Sequence, residues 1–178
     1  MGFAIVISGL NVPGFIKKPM LEKLFHATAD AFRVGTPSLQ GLPYKDCLKL
    51  YAEFTKEQSD KLVRQGTTRP TEARLFENAS RIGKEVRNRF HIRSIEEVMR
   101  VGRVLYRQLG IDFHGAASGD IQVNRCFFSA YYSRDICRLV SSLDAGVIAG
   151  LSGGGKLTFS SRITEGLSCC KAHLDIDR

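Results

Sequence analysis

The chain has 178 residues, of which 43% are hydrophobic and 25% are charged, and it carries 26 Lys and Arg against 18 Asp and Glu. This length and composition suit one folded domain and exclude a largely disordered protein. The net charge of +8 favours anionic small molecules. However, the basic residues are interleaved with glutamates at helix-face spacings, and no basic strand carries aromatic residues for base stacking. We therefore predict no nucleic-acid partner.

The first residues are apolar but predict neither a membrane span nor an export signal. The apolar run at residues 3–7 is too short to cross a bilayer, and no basic segment precedes it. The five cysteines are an odd number, which fits reduced thiols better than a disulfide framework. We predict a cytoplasmic protein in which residues 1–19 are an N-terminal extension or a short strand. The basic surface and buried helices are compatible with a homodimer.

Residues 20–110 have the pattern of a mainly helical region. Apolar residues recur at helical spacing, which predicts helices over residues 20–32, 44–65, 71–90 and 95–109. Gly66 is a natural stop for the second helix. Ser94 and Glu97 have the spacing of a capping box at the start of the fourth helix.

Residues 111–178 predict a cysteine-containing α+β region. The predicted elements, in order, are a glycine-rich loop over 112–120, a strand over 121–128, a helix over 134–149 behind the N-cap Ser133, and a hairpin with strands over 157–164 and 169–176. The whole chain, residues 1–178, is thus predicted to be a single α+β domain. Its N-terminal helices pack on a small antiparallel sheet, and a helix and hairpin close its C-terminal end.

One face of the predicted helix 134–149 carries side chains suited to catalysis or ligand binding. Cys137, Ser141 and Asp144 follow one another at helical spacing, so a thiol, a hydroxyl and a carboxylate share one stripe. A carboxylate on an otherwise apolar helix is costly to bury unless it is paired or does chemistry. Asp144 is therefore the first candidate for a functional residue.

Four of the five cysteines lie in the C-terminal region. Because strand side chains alternate, Cys169 and Cys170 cannot both face one pocket, and Cys170 falls in phase with the apolar set. Three interpretations stay open: a hydrolase with one thiolate activated by a nearby Arg or His, a zinc site, or buried core thiols. The candidate zinc ligands are Cys126, Cys137 and Cys170, with His114 or His173 as a fourth.

Residues 125–174 resemble the carboxy-terminal half of the L-2-amino-thiazoline-4-carboxylic acid hydrolase family. The resemblance is carried by Cys126, by Cys137 with Asp144 after it, and by the closing segment Glu165-Gly166-Leu167-Ser168-Cys169-Cys170. The family tends to have an acid after this glycine and after the cysteine pair, where this chain has Leu167 and Lys171. The same layout resembles the 4-vinyl reductase domain, a small-molecule-binding module whose α+β fold is shared with haem–nitric-oxide-binding proteins.

The hydrolase resemblance implies ring opening of a cyclic amidine carboxylate to a carbamoyl-cysteine. It casts Cys137 or Cys170 as the thiol, Asp144 as base or amidinium partner, and Arg162 or Arg125 as carboxylate clamp. The alternation of the hairpin puts Arg162 on the face opposite Ile163, which counts against Arg162. The other predicted ligand contacts are Cys126, Tyr132 and His114. The second resemblance implies instead a non-catalytic sensor or accessory domain that binds a small hydrophobic ligand or zinc.

Overall fold

The computed structural model describes residues 14–176, and the apolar run at residues 3–7 lies outside them. Within the described residues the chain has the predicted α+β fold, with five α-helices and a four-stranded antiparallel sheet. The helices are α1 (Gly14–Phe32), α2 (Tyr44–Gln65), α3 (Arg69–Phe90), α4 (Ile95–Gln108) and α5 (Arg134–Ser152). The strands are β1 (Ile111–Gly115), β2 (Asp120–Cys126), β3 (Lys156–Ser161) and β4 (Cys170–Asp175).

The helix ends follow the local chemistry of the sequence. Gly66 ends α2 in a left-handed conformation at φ 66°, and the Ser94–Glu97 capping box opens α4. The sequence predicts a first helix that starts after Pro19, but the helix already begins at Gly14. A proline this close to the N-terminus removes only one helical hydrogen bond, so the helix continues through it.

The sheet has one strand more than the sequence predicts. The order is β1-β2-β4-β3, and β1 occupies part of the region expected to be a loop over residues 112–120. Phe113 is the one strongly buried residue of β1, at 4% exposure, and stacks on Tyr106 of α4. A Cβ on Gly115 would lie 2.2 Å from the Met99 sulfur, so glycine here lets the strand pass close under α4. The strand is therefore stabilised by tertiary packing and has little local signal.

Three further boundaries differ from the prediction. The first strand of the predicted hairpin, residues 157–164, ends in the structure at Ser161, and residues 163–165 form a short 3-10 helix. Strand β2 ends at Cys126, and the predicted strand residues Phe127 and Phe128 belong to a short 3-10 helix that packs Phe128 against Tyr51. Helix α5 continues to Ser152, one turn beyond its predicted end. None of the helices among residues 14–176 is both long and apolar enough to cross a membrane.

Helix α5 lies at the centre of the fold, between α3 and the sheet side of the molecule. A Cβ on Gly150 would lie 2.3 Å from the Ser80 carbonyl oxygen and 2.8 Å from the Gly83 Cα, so the α3 and α5 backbones nearly touch. Ile148 and Leu151 of α5 pack in a cluster with residues of α4 and the strands. The close crossing fixes the rotation of α5, and with it the direction of every side chain on the helix.

Candidate functional site

The stripe predicted on α5 points into the protein. The Ser133 hydroxyl accepts a hydrogen bond from the Ile136 amide at 3.4 Å and caps the helix. One turn along the stripe, the Ser141 hydroxyl donates to the Cys137 carbonyl oxygen at 2.6 Å, which leaves the helix intact and satisfies a buried hydroxyl. Cys137 and Asp144 on this stripe interact electrostatically with each other.

A β-bulge on β2 turns Cys126 toward the helices. Phe113 pairs with Val123, whereas Ile111 pairs with Cys126, so two steps along β1 match three along β2. Paired residues in an antiparallel ladder project to the same face. Cys126 therefore shares the inner face with Phe113, and Arg125 is left exposed to solvent.

A second bulge interrupts the pairing of β3 with β4. Phe159 pairs with the buried residue Ala172, but the next paired position joins Ser161 to the exposed Lys171. One residue of β3 is thus left over, and the alternation of the strand reverses beyond Phe159. Residues that a regular hairpin would turn outward come to face the helices.

Arg162 is the residue that this reversal brings inward. Arg162 follows Ser161 and is on the same face of the sheet as Cys170. Its guanidinium lies over the Phe159 ring, 4.5 Å from the centroid. The positive charge of Arg162 acts on Asp144. The predicted orientation of Arg162 on the outer face is therefore wrong, because strict alternation does not hold through a bulge.

Asp144 lies at the centre of a group of polar side chains contributed by separate elements. The ionisable side chains that interact with it are Tyr51, Tyr106, Cys126, Tyr132, Cys137, Arg162 and Cys170. Burial raises the pKa of Asp144 to about 6, against opposing contributions from the Tyr106 hydroxyl and from the charge of Arg162. The residue as a whole is half-buried.

Tyr106 is a site residue that the sequence reasoning missed. It is 7% exposed, stacks on Phe113 with ring centroids 5.1 Å apart, and interacts with the Asp144 carboxyl. In the sequence it sits within the apolar stripe of α4, where nothing separates it from a core residue. The available signal was its hydroxyl, because a buried tyrosine needs a polar partner.

Aromatic side chains from α2 and the segment before α5 form one wall of the site. Tyr51 is 2% exposed and shares a hydrogen bond of 3.0 Å with the Thr28 hydroxyl. The predicted contact Tyr132 stacks on Phe128, and its hydroxyl is buried near Thr55 without a well-formed hydrogen bond. A buried hydroxyl of this kind is available to a bound molecule.

The three inward cysteines are protonated thiols at neutral pH. Burial raises the pKa of Cys126 to about 12, and burial likewise raises the pKa of Cys137 and of Cys170. The charge of Asp144 raises all three further. A thiolate nucleophile needs a depressed pKa, so the arrangement does not activate these sulfurs.

Metal binding gains no support from the arrangement. Within residues 14–176 no three side chains of His, Cys, Asp or Glu are grouped so that they could hold a metal ion. The predicted zinc ligands Cys126, Cys137 and Cys170 are close enough to interact electrostatically, but they do not form a coordination set. Their raised pKa values also oppose zinc binding, because zinc binds thiolates and these thiols are protonated at neutral pH.

The remaining predicted contacts lie on the outer face of the sheet. His114 is exposed and pairs with Asp112 at 3.0 Å, and His173 pairs with Asp120 at 2.9 Å. Arg125 is exposed as well. The structure therefore does not bring these three side chains to Asp144, and Arg162 is the cation that it places there.

Two donors beside the thiols lack a formed hydrogen bond. The Arg162 Nε and the Thr164 hydroxyl are buried without a partner in hydrogen-bond geometry, although the Thr164 hydroxyl interacts with Cys137. Buried donors are normally satisfied by protein, water or ligand. The site thus offers one titrating carboxyl, one guanidinium and several hydroxyl and thiol groups.

No family model, no curated protein and no solved structure matches the chain in comparisons with known proteins.

Proposed function

We propose that the protein hydrolyses a small cyclic C–N substrate such as 2-amino-thiazoline-4-carboxylate, opening the ring to a carbamoyl-cysteine. The observation that carries the proposal is Asp144, whose pKa is raised to about 6 by burial and which interacts with Arg162 and Tyr106. A general acid–base catalyst works best with a pKa near the working pH. The resemblance of residues 125–174 to the thiazoline-carboxylate hydrolases supports the same reaction class.

In the proposed reaction Asp144 moves two protons in succession and water is the nucleophile. The carboxylate accepts one proton from water while the water oxygen bonds to the C=N carbon of the ring, and passes it to the ring nitrogen. Asp144 then takes the second proton from the new hydroxyl and gives it to the same nitrogen as the C–N bond breaks and the C=O bond forms, so one water molecule is consumed. Arg162 binds the substrate carboxylate, since a guanidinium matches a carboxylate with two parallel hydrogen bonds.

Cys137 is expected to contribute contact with the substrate and no covalent step. We expect Cys137→Ala to lower kcat by less than about tenfold, because a thiol with a raised pKa supplies little thiolate at neutral pH. Steady-state kinetics at pH 7.5 on the folded variant measure this. A loss of about a thousandfold or more, in the range of a missing nucleophile, would replace water with the Cys137 thiolate in the mechanism.

A substrate panel tests the proposed function directly. Purified protein is incubated with cyclic amidines and lactams, each with and without a carboxylate, and ring opening is followed by mass spectrometry. We expect turnover of a carboxylate-bearing thiazoline, and a much weaker reaction with its carboxylate-free analogue because Arg162 loses its partner. Folded protein that opens no ring in the panel would remove the proposal.

A second candidate function is binding without catalysis, as in the 4-vinyl reductase domain. It is favoured by the aromatic wall, in which Tyr132 interacts with Tyr51 and with the protonated thiol of Cys126. Largely apolar surroundings with a few hydroxyl groups suit a small hydrophobic ligand. Native mass spectrometry separates the two functions, because the binding domain retains an intact ligand and the hydrolase releases a ring-opened product.

A further inference from the structure

The segment that carries Arg162 into the site lies outside the regular sheet. Strand β3 ends at Ser161, and the following residues form the short 3-10 helix Ile163–Glu165. The Ile163 amide donates a hydrogen bond to the Cys170 sulfur at 3.3 Å, which is a weak acceptor. With little ladder pairing after the bulge, residues 162–165 need another attachment to stay on α5.

Glu165 supplies that attachment. Its Oε1 accepts hydrogen bonds from the Arg138 Nε at 3.0 Å and the Arg138 Nη2 at 2.8 Å, and the Arg134 Nε lies 3.8 Å away. Both arginines stand in the first two turns of α5, and Arg138 directly follows Cys137 in the chain. The ion pair therefore joins the turn that carries Arg162 to the helix that carries Asp144.

The ion pair differs from an ordinary surface pair in its burial. The Glu165 side chain is 19% exposed, whereas both members of the Lys61–Glu57 pair on α2 are more than half exposed. An enclosed carboxylate held by a guanidinium fork keeps a more defined geometry than a flexible exposed pair. At the end of a short irregular segment, such a pair can hold a backbone turn in place.

We propose that Glu165 is a positioning residue, whose ion pair with Arg138 holds residues 162–165 against α5 and keeps the Arg162 guanidinium beside Asp144. The inference rests on the proposed function in that Asp144 and Arg162 are its acid–base and binding groups. Glu165 touches neither the substrate nor the reacting atoms. It acts on Arg162 indirectly, by holding the turn that carries this residue.

The Glu165→Gln variant tests this role through the pKa of Asp144. Loss of the Glu165 charge and loss of the Arg162 position change that pKa in opposite directions. Removing a negative charge would by itself lower the pKa of Asp144. Releasing the Arg162 guanidinium would raise it, because the favourable charge moves away from a buried carboxylate. We expect the Asp144 pKa, followed by carbon-13 NMR, to rise in Glu165→Gln, and kcat/KM for a carboxylate substrate to fall by about ten- to a hundredfold.

Matched variants separate positioning from charge and from folding. Asp135→Asn removes the same charge from the first turn of α5 and should not raise the Asp144 pKa. The exchanged pair, Arg138→Glu with Glu165→Arg, should bring the pKa and kcat/KM back toward wild type. Circular dichroism confirms folding, and Glu165→Asp is a milder variant that should give a smaller rise.

The outcomes keep this inference distinct from the proposed function. An unchanged or lowered Asp144 pKa in Glu165→Gln would overturn the positioning role, as would an equal rise in Asp135→Asn. A protein that turns over no substrate but shows the expected rise in pKa retains the positioning role and loses the proposed hydrolysis. Turnover with an unchanged pKa leaves the hydrolysis and removes the role of Glu165.

Discussion

Replacing Asp144 with asparagine should lower kcat for ring opening by a factor of about 10²–10⁴, the usual contribution of a general acid–base group. Asparagine has nearly the same shape and can still contact Tyr106, but it cannot accept the proton from water. The measurement is kcat at pH 7.5 on folded Asp144→Asn. Activity within about threefold of wild type would take Asp144 out of the mechanism.

The same substitution should make the folded protein more stable above pH 7. The Asp144 carboxyl has a pKa of about 6 when folded and 3.8 as a free side chain. Between these values the folded chain holds a proton that the unfolded chain has released. Wild-type stability therefore falls as pH rises from about 4 to 6, by about 3 kcal/mol for a pKa difference of this size. The Asp144→Asn variant has no carboxyl at this position, so its stability does not fall in this way as the pH rises.

Urea unfolding at pH 4 and pH 8 measures this difference. At pH 8 we expect the free energy of unfolding of Asp144→Asn to exceed that of wild type by about 1–3 kcal/mol, and at pH 4 we expect the two to be similar. A variant that is less stable than wild type at pH 8 would mean that Arg162 and Tyr106 more than offset the burial of the carboxylate. Reduced activity with increased stability is the pattern expected of a functional group held in an unfavourable environment.

Gly150→Val at the α3–α5 crossing should destabilise the protein by about 3 kcal/mol or more. Its Cβ would lie 2.3 Å from the Ser80 carbonyl oxygen and 2.8 Å from the Gly83 Cα, and both are backbone atoms of a packed helix. Neither can rotate away as a side chain could, so the two helices must separate. Because α5 carries Asp144, the separation should also lower activity.

Gly35→Ala is the control for this prediction. A Cβ at Gly35 meets no atom within 4 Å, so the free energy of unfolding should change by less than about 0.5 kcal/mol. Both variants are measured by urea unfolding at pH 7. Wild-type stability in Gly150→Val would show that the α3–α5 crossing is looser than the structure has it.

The helical region was predictable because its signals are local. The Ser94–Glu97 box and Gly66 specify helix ends through residues three or fewer positions apart, and the structure has both. Strand β1 lacked such a signal, since its place depends on Phe113 packing against α4 and on the absence of a side chain at Gly115. The spacing of residues within a five-residue strand does not indicate how the strand packs against elements that are distant in the sequence.

The site was predictable only where it lies on a helix. Helical spacing put Cys137 and Asp144 on one stripe, and the structure turns that stripe inward. The direction of Arg162 was not predictable, because the bulge depends on pairing with β4 and one extra residue reverses the strand. The place of Tyr106 in the site was not predictable for a related reason, since only the fold brings α4 next to Asp144.

Direct titration of Asp144 by carbon-13 NMR, with Asp144→Asn used to assign the resonance, is the measurement closest to the central claim. An enclosed carboxyl that interacts with Arg162 and Tyr106 should titrate with a pKa of about 6. A pKa near 4, the value of a solvated aspartate, would mean that the group stands in water or that Arg162 and Tyr106 offset its burial. In either case the acid–base role of Asp144 would not remain.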